Sequence, residues 1–495
     1  MSDGGIWIMK NICLYFFLFI FLLPVYTSAN DLYVDIDSIG GSCSDTYTKA
    51  QNNISHPFCT IARTIAQETA GDTIYIRAGI YSEGELTLLT SGSSTSSKIT
   101  WKNYPGEAPV IKAMIRVNAK NYRRFEGQST SNRLTFDGNS TNNYGIYSNA
   151  GDNQYVEVVN CEIKNYLLNG IYFSNCTNYT VEGTYIHHIG DNSGVVNHGD
   201  GFLVSGISSG IFKSSEVYHC DDDCITMNTG TVIDNVIVHH CIRPVTGSAH
   251  ADCIEGGSGT IKNSTIYDCE NAGIITGKDT DLVSYNNVFY RTGVDGNNWI
   301  QLRGCNSATI CNNTLYNSAF GGIRAIDSDD HLSKARNITI YNNIFHTMNR
   351  LSAPIQLGNG TIDEATYVSD YNVFYGMDSA KPTIIYSYEG VDMNLNDMYV
   401  LGQEQHSISG LDPSFQNTII YDFHLKENSC ARNTGTTLTS FSVDKDGITR
   451  PQGSAWDIGA YEYNGGNNTS MIGVYNTKGM SGYYNANGMV GIAPN

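Results

Sequence analysis

Short segments in which apolar and polar residues alternate recur along most of the chain, and turns rich in glycine, asparagine and aspartate separate them. These segments share one inward apolar position, which begins at Ile163 and returns every 21 to 31 residues as far as Val288, Ile344 and Val373. Short β-branched strands between such turns are typical of all-β proteins. A repeat of this length predicts a solenoid in which each repeat forms one coil and equivalent positions stack.

The unequal intervals place the insertions in loops while the strands keep their register. We therefore expect an all-β, single-domain parallel β-helix of roughly ten coils, with one repeat in each coil. A β-propeller or a β-sandwich would need antiparallel hairpins with two-residue turns, which this pattern lacks. Asparagine pairs such as Asn286-Asn287 and Asn312-Asn313 precede the inward position. Their amides can bond the backbone and form ladders between coils.

Both ends of the chain differ from the repeats. Residues 1–29 resemble a secretory signal peptide, because Lys10 precedes an apolar run that ends in small residues, with cleavage expected after Ala29. A transmembrane anchor is the competing interpretation, but the run is short for a membrane span. The remaining chain divides into an N-terminal cap with a short capping helix (30–85), the β-helix (86–463) and a flexible Gly/Asn-rich tail (464–495).

Composition and charge narrow the possible partners. The net charge of −19 and the lack of a basic patch exclude nucleic acid. We expect a secreted, soluble monomer without integral membrane association. Cys43 and Cys59 bracket a short loop and can pair in an oxidising compartment. The other cysteines, including Cys220, Cys241 and Cys269 in one repeat column, are expected to be small buried thiols.

Three segments share one pattern: His198-Gly199-Asp200-Gly201-Phe202, Asp221-Asp222-Asp223-Cys224-Ile225 and His250-Ala251-Asp252-Cys253-Ile254. Stacked coils place Asp200, Asp223 and Asp252 in one row with a spacing of roughly 4.8 Å. Like charges that close cannot all stay ionised unless a cation or shared protons intervene. A calcium ion with oxygen ligands at roughly 2.4 Å bridges such a gap. The row therefore predicts a calcium site.

A purely structural role is the alternative for this row, because aspartates in a turn commonly accept backbone N–H bonds. Other titratable residues in the same patch favour a functional site, since such groups cluster where function needs them. Asp221 and Asp222 are further metal-ligand candidates, and His198 and His250 are expected to contact substrate. The two histidines leave a transition metal or an acid/base role open.

The segment from Pro57 to Glu83 and the closing segment Ser454–Tyr463 resemble secreted right-handed parallel β-helix proteins of the pectate-lyase-like superfamily. The resemblance covers nearly the whole mature chain and implies a right-handed helix. His198-Gly199-Asp200-Gly201-Phe202 followed by Asp222-Asp223 is similar to the calcium site of family 9 pectate lyases, but Glu255 and Ile275 occupy the positions of their catalytic lysine. Asp222-Asp223-Cys224 is similar to a segment of polygalacturonases, whose Gly-His-Gly motif is missing.

Three functions remain open at this stage. The first is calcium-assisted β-elimination on a pectate-like acidic polysaccharide, with Lys278 as the base, Arg303 holding the substrate carboxylate and Arg324 binding substrate. Lys278 and Arg303 are expected to stack on neighbouring coils. The alternative is that both are solvated surface cations. The second is inverting hydrolysis in which Asp200, Asp222 and Asp223 divide the acid and base roles. The third is a non-catalytic glycan-binding protein or adhesin.

Overall fold

The computed structural model describes residues 29–190, 199–242, 251–292, 298–328, 333–348, 353–358, 366–377, 379, 381–388 and 390–465, together with three strands of the tail. Each coil contributes strands to three parallel faces, which confirms the predicted right-handed parallel β-helix. Face 1 is a sheet of fourteen strands. Its strands are Asp31–Val34, Thr73–Ile76, Ile99–Asn103, Arg123–Glu126, Asn153–Gln154, Val156–Val159, Cys176–Glu182, Ser209–Lys213, Thr231–Asp234, Gly259–Lys262, Asp281–Tyr285, Ser307–Cys311, Ile338–Tyr341 and Tyr367–Asp370.

Faces 2 and 3 begin at two shared long strands, Ile80–Thr87 and Val110–Arg116, and then separate into two columns. Face 2 contains Leu134–Asp137, Cys161–Lys164, Tyr185–Ile189, Glu216–Cys220, Ile237–Cys241, Thr265–Cys269, Val288–Thr292, Thr314–Ser318, Ile344–Met348, Val373–Tyr375 and Ile408–Ser409. Face 3 contains Tyr144–Ser148, Asn169–Ser174, Asp200–Ser205, Ile225–Met227, Ile254–Gly256, Ile274–Thr276, Ile300–Arg303, Ile323–Ile326, Ile355–Leu357 and Ile384–Tyr388, followed by the antiparallel strand Val391–Asn394.

The ends of the chain carry the remaining elements. The helix Ile61–Ile65 lies in the predicted N-terminal region, where Ile61 and Ile65 join the hydrophobic core, and its role as a cap stays a prediction. Cys43 and Cys59 form a disulfide. The other elements are the helix Leu395–Val400, the antiparallel pair Phe415–Asn417 and Asp422–Leu425, the 3-10 helix Thr418–Ile420, and the tail strands Ile472–Tyr475, Ser481–Asn485 and Gly488–Ala493. The predicted signal peptide lies almost entirely outside the described residues.

The predicted inward column on face 2 is correct from Ile163 to Ile266 and at Leu315, and it is wrong by one residue at Val288, Ile344 and Val373. Ile266 pairs with Phe289 rather than Val288, and the column continues through Phe345 and Phe374. Val288, Ile344 and Val373 point outward instead. They are buried there against Phe415, Phe423 and Ile458 of the C-terminal segment 411–463, here called the strap. Both neighbours in each pair are therefore apolar, and alternation alone cannot tell which one faces inward.

The asparagine pairs explain how the strap is attached. The second residue of each pair forms an inner ladder, in which the backbone N–H of Asn287 donates to Oδ1 of Asn313 at 3.0 Å and that of Asn313 donates to Asn343 at 3.0 Å. The first residue has a left-handed backbone conformation and points outward. Asn286 and Asn342 donate from Nδ2 to the strap carbonyls of Val443 and Thr436, both at 2.8 Å.

We expect Asn313→Ala to lower the free energy of unfolding by about 2–5 kcal/mol, because it leaves the Asn287 N–H and the Ser284 carbonyl buried without their partner. Asn396→Ala is the matched control, since this exposed residue uses only its backbone N–H in a hydrogen bond. Urea unfolding of both variants measures the difference. Equal midpoints for the two variants would contradict the role of the inner ladder.

His424 makes the stability of the strap dependent on pH. Burial opposes its charge, but hydrogen bonds to Asp422 at 2.5 Å and Asp446 at 2.8 Å raise its pKa to about 9. A raised folded-state pKa gives stability that is full below about 6.5, the unfolded value, and is lost as the pH rises through about 9. We expect a loss of roughly 3 kcal/mol between pH 6 and pH 9.5. Thermal unfolding should show a loss that is smaller by this amount in His424→Gln than in the native chain and in His406→Gln.

Candidate functional site

The row of aspartates lies where three consecutive coils turn from face 2 into face 3. Phe202 pairs with Ile225 and Ile225 pairs with Ile254, so the aspartates two residues earlier occupy equivalent positions on adjacent coils. Asp200, Asp223 and Asp252 are 6%, 4% and 1% exposed. The structure therefore brings these three residues together as a nearly buried row at the edge of face 3.

Each aspartate of the row binds the backbone of the next coil. Asp223 Oδ1 accepts the Asp252 N–H at 2.9 Å, and Asp252 Oδ1 accepts the Ala272 N–H at 2.6 Å. Amide side chains support the two ends of the row, since Asn169 donates to Asp200 at 3.1 Å and Asn271 donates to Asp252 at 2.8 Å. The structural ladder considered above is thus present, and it accounts for one oxygen of Asp223 and one of Asp252.

Burial and mutual repulsion make the row costly to ionise. Burial raises the pKa of Asp200 to about 8, and the charges of Asp222 and Glu255 contribute. Burial also raises the pKa of Asp252 to about 7, although the Ala272 N–H and the positive charge of Arg303 oppose the rise. The pKa of Asp223 is raised by burial and then by Glu255, which shares a hydrogen bond with it. At neutral pH the row therefore needs protons or a cation to offset its charge.

Glu255 is the member of this cluster that sequence reasoning missed. It was noted only as the residue that occupies the position of a catalytic lysine. In the structure it is exposed on the outer surface of face 3, in register with Thr226 and Ile275. Its charge acts on all three aspartates of the row. The available signal was its outward parity, one residue after the inward-facing Ile254.

Arg303 is the predicted cation that the structure places near the row, since its charge acts on Asp252. With the amide oxygen of Gln301 turned toward the guanidinium, Gln301 accepts from Arg303 Nε at 2.9 Å. Arg324 pairs with Gln301 one coil further along the outer surface of face 3. Lys278 lies two residues beyond the strand Ile274–Thr276, and its side chain is exposed.

Of the remaining predicted site residues, Asp221 and Asp222 lie at the same corner. His198 and His250 lie outside the described residues. Asp221 packs against Gly190 and Gly199, where an added Cβ would come within 2.2 Å and 2.8 Å of the Asp221 side chain. Asp222 is partly exposed, and its charge raises the pKa of Asp200. Asp221 and Asp222 thus flank the row rather than extend it.

Two disulfides lie directly beside the aspartates, and they correct the expectation of buried thiols. Cys224, the residue after Asp223, is bonded to Cys241. Cys253, the residue after Asp252, is bonded to Cys269. Only Cys220 of the predicted cysteine column is a free thiol. The expectation was wrong for Cys241 and Cys269 because the side chain of each reaches a second cysteine in the turn of the preceding coil. The disulfides therefore tie the backbone next to two row aspartates to the neighbouring coil.

The donor chemistry of the row suits a hard cation, since the side chains offer carboxylate and amide oxygens. Three buried carboxyls with raised pKa values also carry charge that a calcium ion would offset. Within the ranges that the structure describes, however, no three His, Cys, Asp or Glu side chains already converge as a set of metal ligands. Donor type and charge fit calcium, and the ligand geometry is not assembled in the described part of the chain.

The comparisons with known proteins concern the fold. The family described as "Right handed beta helix region" matches residues 124–289 and again 201–361. None of the curated protein sequences matches the chain significantly. No helix within the described residues has the length and apolar character needed to cross a membrane.

Several solved structures are similar to the chain at low sequence identity. The complex of XylC with xylose has a TM-score of 0.51 and 12% identity, covering 87% of this chain and 98% of its own. Pectate lyase Pel9A has a TM-score of 0.48 and 15% identity, covering 88% and 97%. The A-module of the mannuronan C-5 epimerase AlgE6 from Azotobacter vinelandii has a TM-score of 0.47 and 16% identity, covering 70% and 93%. Together with the parallel strand register, the family match shows that the chain has a right-handed parallel β-helix fold.

Proposed function

We propose that the protein is a secreted enzyme that cleaves an acidic polysaccharide by calcium-assisted β-elimination. The observation that carries this proposal is the nearly buried row Asp200–Asp223–Asp252. The charges of Glu255 and Arg303 both act on this row at Asp252. Calcium held by these carboxylates, together with Arg303, would present positive charge to a linear chain of uronates at the edge of a long regular face. Similar solved structures include a pectate lyase and a mannuronan epimerase, which is consistent with this substrate class. Three disulfides support export.

The chain supplies most of the groups that elimination needs. The row, with Asp221 and Asp222 beside it, would hold calcium, which supplies a Lewis acid that neutralises the uronate carboxylate. Arg303 would orient the same carboxylate, and Gln301 fixes the guanidinium. Lys278 would take the proton from the carbon next to the carboxylate. Arg324, one coil beyond Gln301, would bind the next acidic sugar along the face.

Inverting hydrolysis is the second candidate, and the pKa of Asp200 favours it. A carboxyl with a pKa of about 8 is protonated at neutral pH and can donate to a leaving oxygen. Asp222 or Asp223 would then activate water. This mechanism needs neither calcium nor Lys278, and that difference separates the two candidates.

A product assay on pectate, alginate and glycosaminoglycans, with calcium and with a chelator, distinguishes the candidates. We expect ultraviolet absorbance from an unsaturated uronate, which the chelator abolishes. Lys278→Ala should lower kcat by roughly 10²–10⁴-fold, the usual contribution of a general base. The exposed Lys426→Ala should leave kcat unchanged. New reducing ends without ultraviolet absorbance would indicate hydrolysis instead. If neither absorbance nor reducing ends appear, a glycan-binding protein becomes the leading candidate.

Calcium binding can be tested by thermal stability, without an activity assay. Calcium at a hundredfold excess over its Kd should stabilise the folded chain by about 2.7 kcal/mol and raise the thermal midpoint. The effect should disappear in Asp223→Asn, which removes the central charge of the row. Asp31→Asn alters an exposed carboxylate on face 1 and should keep the full shift. An unchanged midpoint in the native chain at saturating calcium would refute the calcium site.

A further inference from the structure

A second cluster of titratable groups lies on the outer surface of face 2. Near the end of each strand one residue adopts a left-handed conformation, and on three consecutive coils that residue is His188, His219 and His240, with φ of 54°, 53° and 53°. The ring centroids of His188 and His219 are 4.9 Å apart, and those of His219 and His240 are 5.2 Å apart. These three residues, here called the histidine ridge, present one imidazole per coil.

The residue before each ridge position belongs to a stack of aromatic rings. His187, Tyr218, His239 and Tyr267 are consecutive in register, with centroids 4.6 to 5.0 Å apart and ring planes within 12° of parallel. His187 and His239 are nearly buried, at 7% and 2% exposure. This rigid stack forms the floor on which the histidine ridge rests.

Two hydrogen-bonded relays connect the floor to the ridge. His187 Nε2 lies 3.2 Å from Glu162, and its Nδ1 lies 2.7 Å from Nδ1 of His188. Two coils later, His239 Nε2 lies 3.0 Å from Glu216, and its Nδ1 lies 2.6 Å from Nδ1 of His240. A carboxylate accepts, so Nε2 of the floor histidine carries the proton and its Nδ1 accepts from the ridge histidine. The lone pair of the ridge histidine is therefore on Nε2.

The ridge imidazoles are also kept neutral. Burial and the neighbouring imidazoles lower the pKa of His219 to about 4. Burial, followed by His239 and His219, lowers the pKa of His240 to about 4. The pKa of His188 is lowered by burial and then by His187 and Lys164. A neutral imidazole has a free ring nitrogen, so it can bind a metal ion without first releasing a proton from that nitrogen.

We propose that the histidine ridge binds a divalent transition-metal ion, of the copper and zinc class, through a ring nitrogen of His219 and Nε2 of His188 or His240. Imidazole nitrogens bind such a metal at about 2.0–2.1 Å, so two of them lie roughly 3.3 Å apart across a tetrahedral ion. Centroids at 4.9 and 5.2 Å allow this spacing, because each ring nitrogen lies about 1.1 Å outside its centroid. His219 pairs with His188 or with His240, and water completes the shell.

The relays are the feature that distinguishes this ridge from ordinary surface histidines. Metal-binding histidines typically donate their other ring N–H to a carboxylate or a similar acceptor, which fixes the tautomer and the ring orientation. Here Glu162 and Glu216 provide that support through a second histidine. Oδ2 of Asp268 lies 3.6 Å from Nε2 of His240 but already accepts a hydrogen bond from Arg291 at 2.5 Å, so the ridge offers imidazole ligands. This metal site is separate from the acidic row and uses nitrogen rather than oxygen donors.

Titration of the untagged full chain with Cu²⁺, in excess calcium to saturate carboxylates, tests the proposal. Electron paramagnetic resonance should show hyperfine coupling to two imidazole nitrogens at one copper per chain. His219→Ala removes the residue that both pairs share, and we expect at least a tenfold loss of affinity. The control His406→Ala alters an exposed histidine next to Asp370 and should change nothing.

The relays give a second, independent variant set. Glu162→Gln with Glu216→Gln leaves all ridge ligands in place but disturbs their orientation, and we expect a loss of roughly 10–100-fold. Unchanged thermal midpoints would show that the variants still fold. Copper binding without nitrogen coupling, or equal affinity in His219→Ala and His406→Ala, would overturn the proposal.

Discussion

The backbone hydrogen bonds between successive coils fix the whole molecule, because they hold equivalent residues one strand spacing apart. Every side chain therefore meets the side chains of the same column above and below it. Apolar columns gain from this arrangement, as the core column from Ile163 through Phe374 shows. Polar columns must satisfy their hydrogen bonds and charges within the stack, and the way each column does so determines what it can bind.

Stacked polar groups are arranged in three different ways in this chain. Asn287, Asn313 and Asn343 each donate and accept along their column, so an amide ladder is self-complementary. The ring stack around Tyr218 and His239 buries flat side chains and connects its histidines to carboxylates. The aspartate row has no such complement, since carboxylates only accept when ionised. Of these three columns, it is the one that retains unbalanced charge, and a bound cation would offset that charge.

The strap shows how an outer surface can be changed without altering the coils. It covers the later part of face 2, where Val288, Ile344 and Val373 point outward. Among the described residues, its ring contacts on face 2 begin at Tyr290, and on face 1 Phe441 stacks on Tyr285. The same register that aligns the outer asparagines provides regularly spaced amides to hold it.

The sequence by itself determined the parallel β-helix, the stacking of Asp200, Asp223 and Asp252, and the asparagine ladders, because repeat spacing directly encodes register. It could not determine which of two adjacent apolar residues faces inward where the strap covers the outer face, because both residues are then buried. It also could not reveal the pairing of Cys224 with Cys241, or the approach of Glu255 and Arg303 to the row. Those features depend on contacts between different positions of neighbouring coils. Such contacts are set by the bend at each corner, which only the folded chain defines.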